Sequence, residues 1–212
     1  MNMAKQMIVA AVLVAASTAW VAGQRASNAG RAEVVLSNAR VKIYRTTAGV
    51  LNGLDHQPGV VVWLDDAEGQ KAGEAVWLDD AAVAPPRGPG HGTIVVVELV
   101  PGSAPATTPA AGGSRPGEAP FTGMSFTPLF ENARVSVLRA RMEVGAREGF
   151  HTHASDTVVV HLSGGEIEDT ADGKTVVNRW KKGDVEFESL GSSHSARNIG
   201  HAVDVVLVAL KR

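Results

Sequence analysis

Apolar residues in this chain gather in short runs instead of recurring at helical spacing. Val60-Val-Val-Trp-Leu64, Thr93-Ile-Val-Val-Val-Glu-Leu99 and Val158-Val-Val-His-Leu162 are rich in β-branched residues and lie between Gly, Pro or Asp-Gly breaks, which is strand chemistry. Asp184-Val-Glu-Phe-Glu188 alternates polar and apolar positions, as a half-buried strand does. Glu166-Ile-Glu-Asp-Thr-Ala-Asp-Gly-Lys-Thr-Val-Val177 predicts a hairpin with Asp172-Gly173 at its turn. No amphipathic helical segment of useful length follows the first two dozen residues. The pattern predicts an all-β protein of two packed sheets.

The pattern also repeats. Val35-Leu-Ser-Asn-Ala-Arg-Val-Lys-Ile-Tyr-Arg45 matches Leu129-Phe-Glu-Asn-Ala-Arg-Val-Ser-Val-Leu-Arg139, with Asn-Ala-Arg-Val common to both. Val60–Leu64 matches Val158–Leu162, and His91–Leu99 matches His201–Ala209, in the same order. Three matches in one order predict a duplicated unit, with one copy over 31–101 and the other over 122–212. Between them, 102–121 is rich in Pro, Gly and Ala and poor in large apolar groups, so it reads as a linker or as a long ordered loop over one sheet.

The first 23 residues have the layout of an export signal. Lys5 supplies the positive start, Met7–Ala16 the apolar stretch and Val21-Ala-Gly23 the small-residue cleavage site. A retained anchor is the competing reading, but the run is short against the roughly 20 residues of a bilayer span. Cleavage would give a periplasmic or secreted protein with no stable membrane insertion. A net charge of −2, with no cluster of Lys and Arg among aromatics, argues against nucleic acid as a partner. The lack of cysteine removes disulfides, thiolate ligands, thiol catalysis and an acylated lipoprotein anchor.

The candidate chemistry lies in the second copy. His151 and His153, at i and i+2 on an extended segment, point to the same side, and His194 can close a set of three. Neutral imidazole suits Fe, Zn, Ni and Cu alike, so the ligands imply one divalent transition metal without choosing it. The glycine framing resembles the two motifs of the cupin superfamily, G-x5-H-x-H-x3,4-E-x6-G and G-x5-P-x-G-x2-H-x3-N. Gly145, His151 and His153 match the first, and Gly183, Gly191, His194 and Asn198 the second. Where the first motif has its glutamate this chain has Thr157 or Val158, with Asp156 beside them, and Ser189 stands for the motif proline.

The resemblance implies a double-stranded β-helix, or jelly-roll, fold, duplicated as a bicupin. The metal would be held by His151, His153 and His194 (Fe, Mn, Zn, Ni or Cu), a set similar to that of three-histidine cupin dioxygenases. Aligned without gaps, the first copy has Gly53 and Asp55 where the second has His151 and His153, with His56 one residue out of phase. A shift of one turns a side chain to the other face, and Ala84–Gly90 replaces the second motif. No metal is expected in that copy.

Other residues carry smaller expectations. Glu148, Asp156 and Thr157 flank the site; Asp156 is the first choice by charge and Thr157 by position. His161 is expected in the core or pocket wall, His201 at a strand start and Arg45 and Arg139 in ion pairs. Trp180, Lys181 and Lys182 are expected in a solvent-facing turn. The resulting function is a metal-dependent oxygenase-type enzyme acting on a small molecule, or else a non-catalytic module that binds a small molecule or metal. A homodimer is compatible with the resemblance, although an internal copy would already cover the sheet-pairing surface.

Overall fold

The valine runs form the centres of two sheets. The structure, a computed structural model, describes residues 31–51, 56–67, 69–79, 92–102 and 121–211. The export-type segment, nearly all of the linker, and His91, Gly53, Asp55 and Ala84–Gly90 lie outside these. The first sheet contains β1 (Glu33–Ser37), β2 (Val41–Thr47), β3 (Gly59–Trp63), β4 (Ala75–Leu78) and β5 (Thr93–Leu99), in the order β1-β2-β5-β3-β4. A single helical turn, α1 (Ala48–Leu51), follows β2.

The second sheet begins with β6 (Phe121–Glu131), whose first residue lies inside the expected linker, and β7 (Val135–Thr152). It continues with β8 (Thr157–His161), β9 (Gly165–Ala171), β10 (Lys174–Trp180), β11 (Val185–Glu188), β12 (Ser193–Asn198) and β13 (Val203–Leu210). The order is β10-β9-β12-β7-β13-β8-β11, with β6 also on β7. The long strand β7 joins the two walls: its first half pairs with β13 and its last residues with β12. Gly145, at φ 76°, lies between these halves, where an ordinary side chain would be strained. The sheet thereby curls into a jelly roll, and the all-β expectation holds.

Local signals account for the turns. Asp172 and Gly173, both at positive φ, close the β9–β10 hairpin, with Ala171 opposite Lys174; two such residues define the turn that matches strand twist. The shared Asn-Ala-Arg-Val is also a turn. Asn38 Oδ1 accepts the amides of Arg40 and Val41 at 2.8 and 2.9 Å, and Asn132 Oδ1 those of Arg134 and Val135 at 2.7 and 2.9 Å. A short amide side chain bonding two residues onward fixes the chain reversal and hence the register of the strands after it.

Pairing in the first sheet recurs as β6-β7-β13-β8-β11 in the second. Val60 lies opposite Val97 and Trp77, and Val158 opposite Val208 and Phe187. This differs by one residue from the match His91–Leu99 with His201–Ala209, which would equate Val97 with Leu207. A run of valines has no internal landmark against a slip of one, whereas the hydrogen-bond ladder does. His201 is exposed, in the turn before β13, and its carbonyl accepts Asn198 Nδ2 at 2.8 Å.

The two sheets share a core. Ile43, Val60, Val62 and Val97 of the first meet Val137, Val158, Val160 and Val208 of the second. Alternate residues of the first sheet, Val61, Trp63, Ile94 and Val96, pack into a separate cluster with Leu51 and Leu78. Contacts at the shared face are reciprocal. A Cβ on Gly73 would meet Arg139 Nη1 and Leu162 Cδ1, both at 2.8 Å, and one on Gly183 would meet Leu64 Cδ1 at 3.0 Å and Arg45 Nη1 at 3.2 Å. Arg139 Nε also bonds Asp204 Oδ1 at 2.8 Å, and Arg45 bonds Glu33 at 2.8 Å, so both arginines sit in ion pairs.

Gly73→Ala, at φ 87°, should therefore destabilise the protein by about 1 kcal/mol from backbone strain and by about 1–3 kcal/mol more through overpacking. Gly69→Ala, at φ 79° but with nothing within 4 Å of its Cβ, should cost about 1 kcal/mol from backbone strain alone. Urea unfolding of both variants measures the difference; equal losses would remove the packing at Gly73 as the cause.

Candidate metal centre

His151 and His153 lie at the end of β7, and His194 on β12 lies opposite His151 in register. Cross-strand partners on one face stand as close as i and i+2 on one strand, so three side chains from two strands reach one point. Their ligand nitrogens all lie within 4.8 Å of one another, a geometry that could hold a metal ion. His153 Nε2 is 3.1 Å from His194 Nε2. Among the described residues this is the one group of His, Asp and Glu arranged in this way.

Each ring has an acceptor behind it. His151 Nδ1 is 3.0 Å from the Gly149 carbonyl, His194 Nδ1 is 2.9 Å from Asp169 Oδ1 and His153 Nδ1 is 3.4 Å from Glu188 Oε2. An acceptor hydrogen-bonded to Nδ1, as at His151 and His194, favours the ring proton there and leaves Nε2 as a free electron pair. His153 Nε2 and His194 Nε2, 3.1 Å apart, can share one ring proton between them, and with His151 they bring three imidazole nitrogens to one point. The donor set therefore fits a metal ion. Burial, helped by the neighbouring rings, lowers His153 to about 4, and burial lowers His151 as well, which keeps these two rings in the neutral state that a metal needs.

The flanking residues divide sharply. Thr157 faces the cavity beside the histidines. Asp156 turns the other way, where it is buried, pairs with Arg40 Nε at 2.9 Å and accepts the Leu190 amide at 2.9 Å. Parity on the extended chain separates it from its neighbour, so Asp156 ties the two sheets together and stands away from the site. Glu148 does reach it, with Oε2 at 3.8 Å from His194 Nε2. Asn198 of the second motif is 1% exposed, and its amide nitrogen bonds the carbonyls of Met142, Glu143 and His201 at 3.1, 3.0 and 2.8 Å. It holds the bend in place and touches no histidine of the site.

Two carboxyl groups come from positions that neither motif specifies. Glu188 pairs in register with Thr157, so a carboxyl group arrives from β11 beside the position where the motif glutamate is missing; Asp169 arrives from β9. Alternation within Asp184–Glu188 was the available signal for Glu188, and its meaning depended on which strand lay next to it. Burial, then repulsion from Glu186, Glu148 and Asp169, pushes Glu188 up to about 8. Burial raises Glu148 as well.

The histidines open into a cavity of about 500 Å³ with Met142, Val159, Ile167, Val205 and Leu207 among its lining residues. His161 is 2% exposed and forms part of this wall, as expected; Nε2 is 3.3 Å from Glu186 Oε1. Trp180 differs from expectation. It stacks on His161 with ring centroids 4.7 Å apart and lines the cavity, because β10 extends through it, while Lys181 and Lys182 form the exposed turn. At the matching register positions the first sheet has Trp63, Val76 and Leu78 in place of His161, Glu186 and Glu188. Trp63 and Leu78 are buried in its apolar cluster, with Val76 packed against it.

Fold and site together define a jelly-roll barrel bearing a three-histidine group that could hold a metal ion. The chain is similar to solved cupin domains. A cupin domain from Bordetella pertussis Tohama I is 25% identical over 42% of this chain and 95% of its own, with a TM-score of 0.40. An RmlC-like cupin from Shewanella frigidimarina is 18% identical over 49% and 93%, with a TM-score of 0.37. The Schizosaccharomyces pombe Cnp3 cupin domain is 26% identical over 42% and 66%, with a TM-score of 0.37. No protein-family model and no curated protein matches the chain.

The metal-free site should leave a signature in the pH dependence of stability. Glu188, raised from 4.5 to about 8, contributes stability that is complete below pH 4.5 and lost as pH rises through 8. His153, lowered from 6.5 to about 4, acts oppositely, but its contribution changes only below 6.5. Between pH 6.5 and 8 the metal-free protein should lose on the order of 1–2 kcal/mol. Glu188→Gln should flatten that decline in thermal melts; an unchanged slope would show that Glu188 is not its source.

Proposed function

We propose that this chain is an exported bicupin whose C-terminal barrel binds one divalent transition metal on His151, His153 and His194 and acts on a small molecule as an oxygenase-type enzyme. The observation that supports it is the convergence of three Nε2 atoms, each with an acceptor behind its Nδ1. Three neutral ligands leave an ion its full charge and open positions for a substrate. A bound ion would supply Lewis-acid or redox chemistry.

The chain's own residues would do the rest. Asp169, Glu188 and the Gly149 carbonyl orient the rings. Glu148 and Glu188 stand beside the open face as groups able to hold or release a proton, and the apolar wall positions the substrate and excludes water. Duplication is supported by the matched Asn38 and Asn132 turns, the common pairing order and the reciprocal contacts of Gly73 and Gly183. In this reading the first copy is a structural partner that covers the outer face of the second. Export, to the periplasm or outside the cell, rests on the Lys5, Met7–Ala16 and Val21–Gly23 pattern.

Elemental analysis of the purified protein should find one transition metal per chain, lost when His153 and His194 are both replaced by Ala. Metal content that survives the double replacement would end the proposal. Asp169→Asn should weaken metal binding by about 10- to 100-fold while leaving the metal-free melting curve close to wild type. The iron-loaded protein should consume oxygen with a member of a panel of diketones, thiols and dihydroxyaromatics. Metal binding without uptake for any of them would assign the site to binding alone.

A further inference from the structure

The two sheets correspond bond for bond around one junction and differ in the side chains that meet there. Leu99 N donates to the Pro58 carbonyl at 2.9 Å, and Leu210 N to that of Asp156 at 2.8 Å; Val100 N donates to the Arg40 carbonyl at 3.0 Å, and Lys211 N to that of Arg134 at 2.8 Å. Arg40 thus corresponds to Arg134, and Pro58 to Asp156. On one side these places hold the ion pair of Arg40 and Asp156, whose side chains are largely buried. On the other they hold Arg134, which is exposed, and a proline with no carboxyl group to offer. The pair is present only where the three histidines are, and losing either partner would leave the other charge buried and uncompensated.

Asp156 also joins this pair to the metal centre. Its Oδ2 accepts Arg40 Nε while its Oδ1 accepts the Leu190 amide, both at 2.9 Å. Leu190 lies in the turn that leads into β12, and that turn is bound to a site histidine: Gly191 N donates to the His153 carbonyl and His153 N to the Ser192 carbonyl, each at 2.9 Å. The hydroxyls of Thr152 and Ser193, 2.7 Å apart, continue the clamp, and His194 follows directly. The turn has Ser189 where the second motif has proline, so no ring fixes its φ and its shape depends on bonds from outside. A guanidinium on one oxygen of Asp156 stops the carboxylate from rotating and keeps the other oxygen aimed at Leu190. Ser189, Ser192 and Ser193 line the cavity, whereas Arg40, Asp156 and Leu190 line a separate hollow of about 320 Å³. Arg40 therefore reaches the site through bonds, without touching it.

We propose that Arg40, from the sheet that lacks the site histidines, is a positioning residue for the metal centre: through Asp156 it holds the turn that sets His153 and His194. The link to a metal rests on the proposed function, whereas the hold on the turn does not. Two measurements on the full chain keep them apart. In metal-free protein, amide hydrogen exchange at Gly191 and His153 should quicken by about 2- to 30-fold in Arg40→Gln, while the amides of Val159 and Leu207 stay as in wild type. Arg40→Lys, which keeps a charge beside Asp156, should restore most of the protection, and Arg40→Gln should add little in an Asp156→Ala background. Gly73→Ala, which strains the shared face near Arg139 and the opposite end of β13, should leave both amides unchanged. In titrations with Co²⁺, Arg40→Gln should bind more weakly by a similar factor and shift the visible absorption of the bound ion, which reports its ligand geometry. Unchanged exchange at Gly191 and His153, equal quickening in Gly73→Ala, or Co²⁺ binding of wild-type strength and spectrum in Arg40→Gln would overturn the proposal. Quickened exchange in a wild-type chain that takes up no Co²⁺ would sink the metal site and leave the hold on the turn standing.

Discussion

The dry face between the two sheets is the constraint on which the rest of the molecule depends. A strand presents successive residues to opposite sides, and that face takes every second residue of β8, β13 and the first half of β7. Val158 and Val160 go into it, leaving Thr157, Val159 and His161 for the interior; Val206 and Val208 go into it, leaving Val205 and Leu207. A slip of one residue would put valines in the cavity and a histidine and a threonine in the interface. The barrel interior can carry polar chemistry because stability is supplied on its outside.

That division makes the site electrically unusual. Buried histidines are neutral because charging them in a confined space is unfavourable, and buried carboxyl groups hold protons for the same reason. Here both kinds meet, and acceptors at Nδ1 of His151 and His194 turn those two rings so that a free electron pair points inward. Such an arrangement is poorly satisfied by protein alone. A cation at the centre would engage the converging nitrogens and the crowded acids together, which is why the donor set and the carboxyl groups are better understood as one unit than as separate features.

What could be read from the sequence followed the range of the interactions. The Asp172-Gly173 turn and the common side of His151 and His153 depend on neighbours along the chain and were visible there, whereas Asn-Ala-Arg-Val showed itself only as a repeat and not as the reversal it forms. Asp156 was favoured by its charge, yet strand parity sends it to Arg40. Glu188 and Asp169 could not be placed because their position depends on which strands pair, a matter of register between distant segments. Trp180 was misplaced because a strand end and an exposed turn look alike when Lys181 and Lys182 follow. The slip at Thr93–Leu99 has the same origin, since identical side chains in a row carry no register.

The pairing of Thr157 with Glu188 bears on how such sites can be inherited. Two residues facing each other across a ladder stand only about 5 Å apart with their side chains on one face. A carboxyl group can therefore migrate to the adjacent strand during divergence while the geometry at the mouth of the barrel is maintained. A linear motif would record that migration as a loss. Its spatial counterpart, a position on the wall instead of a position in the chain, would record no change.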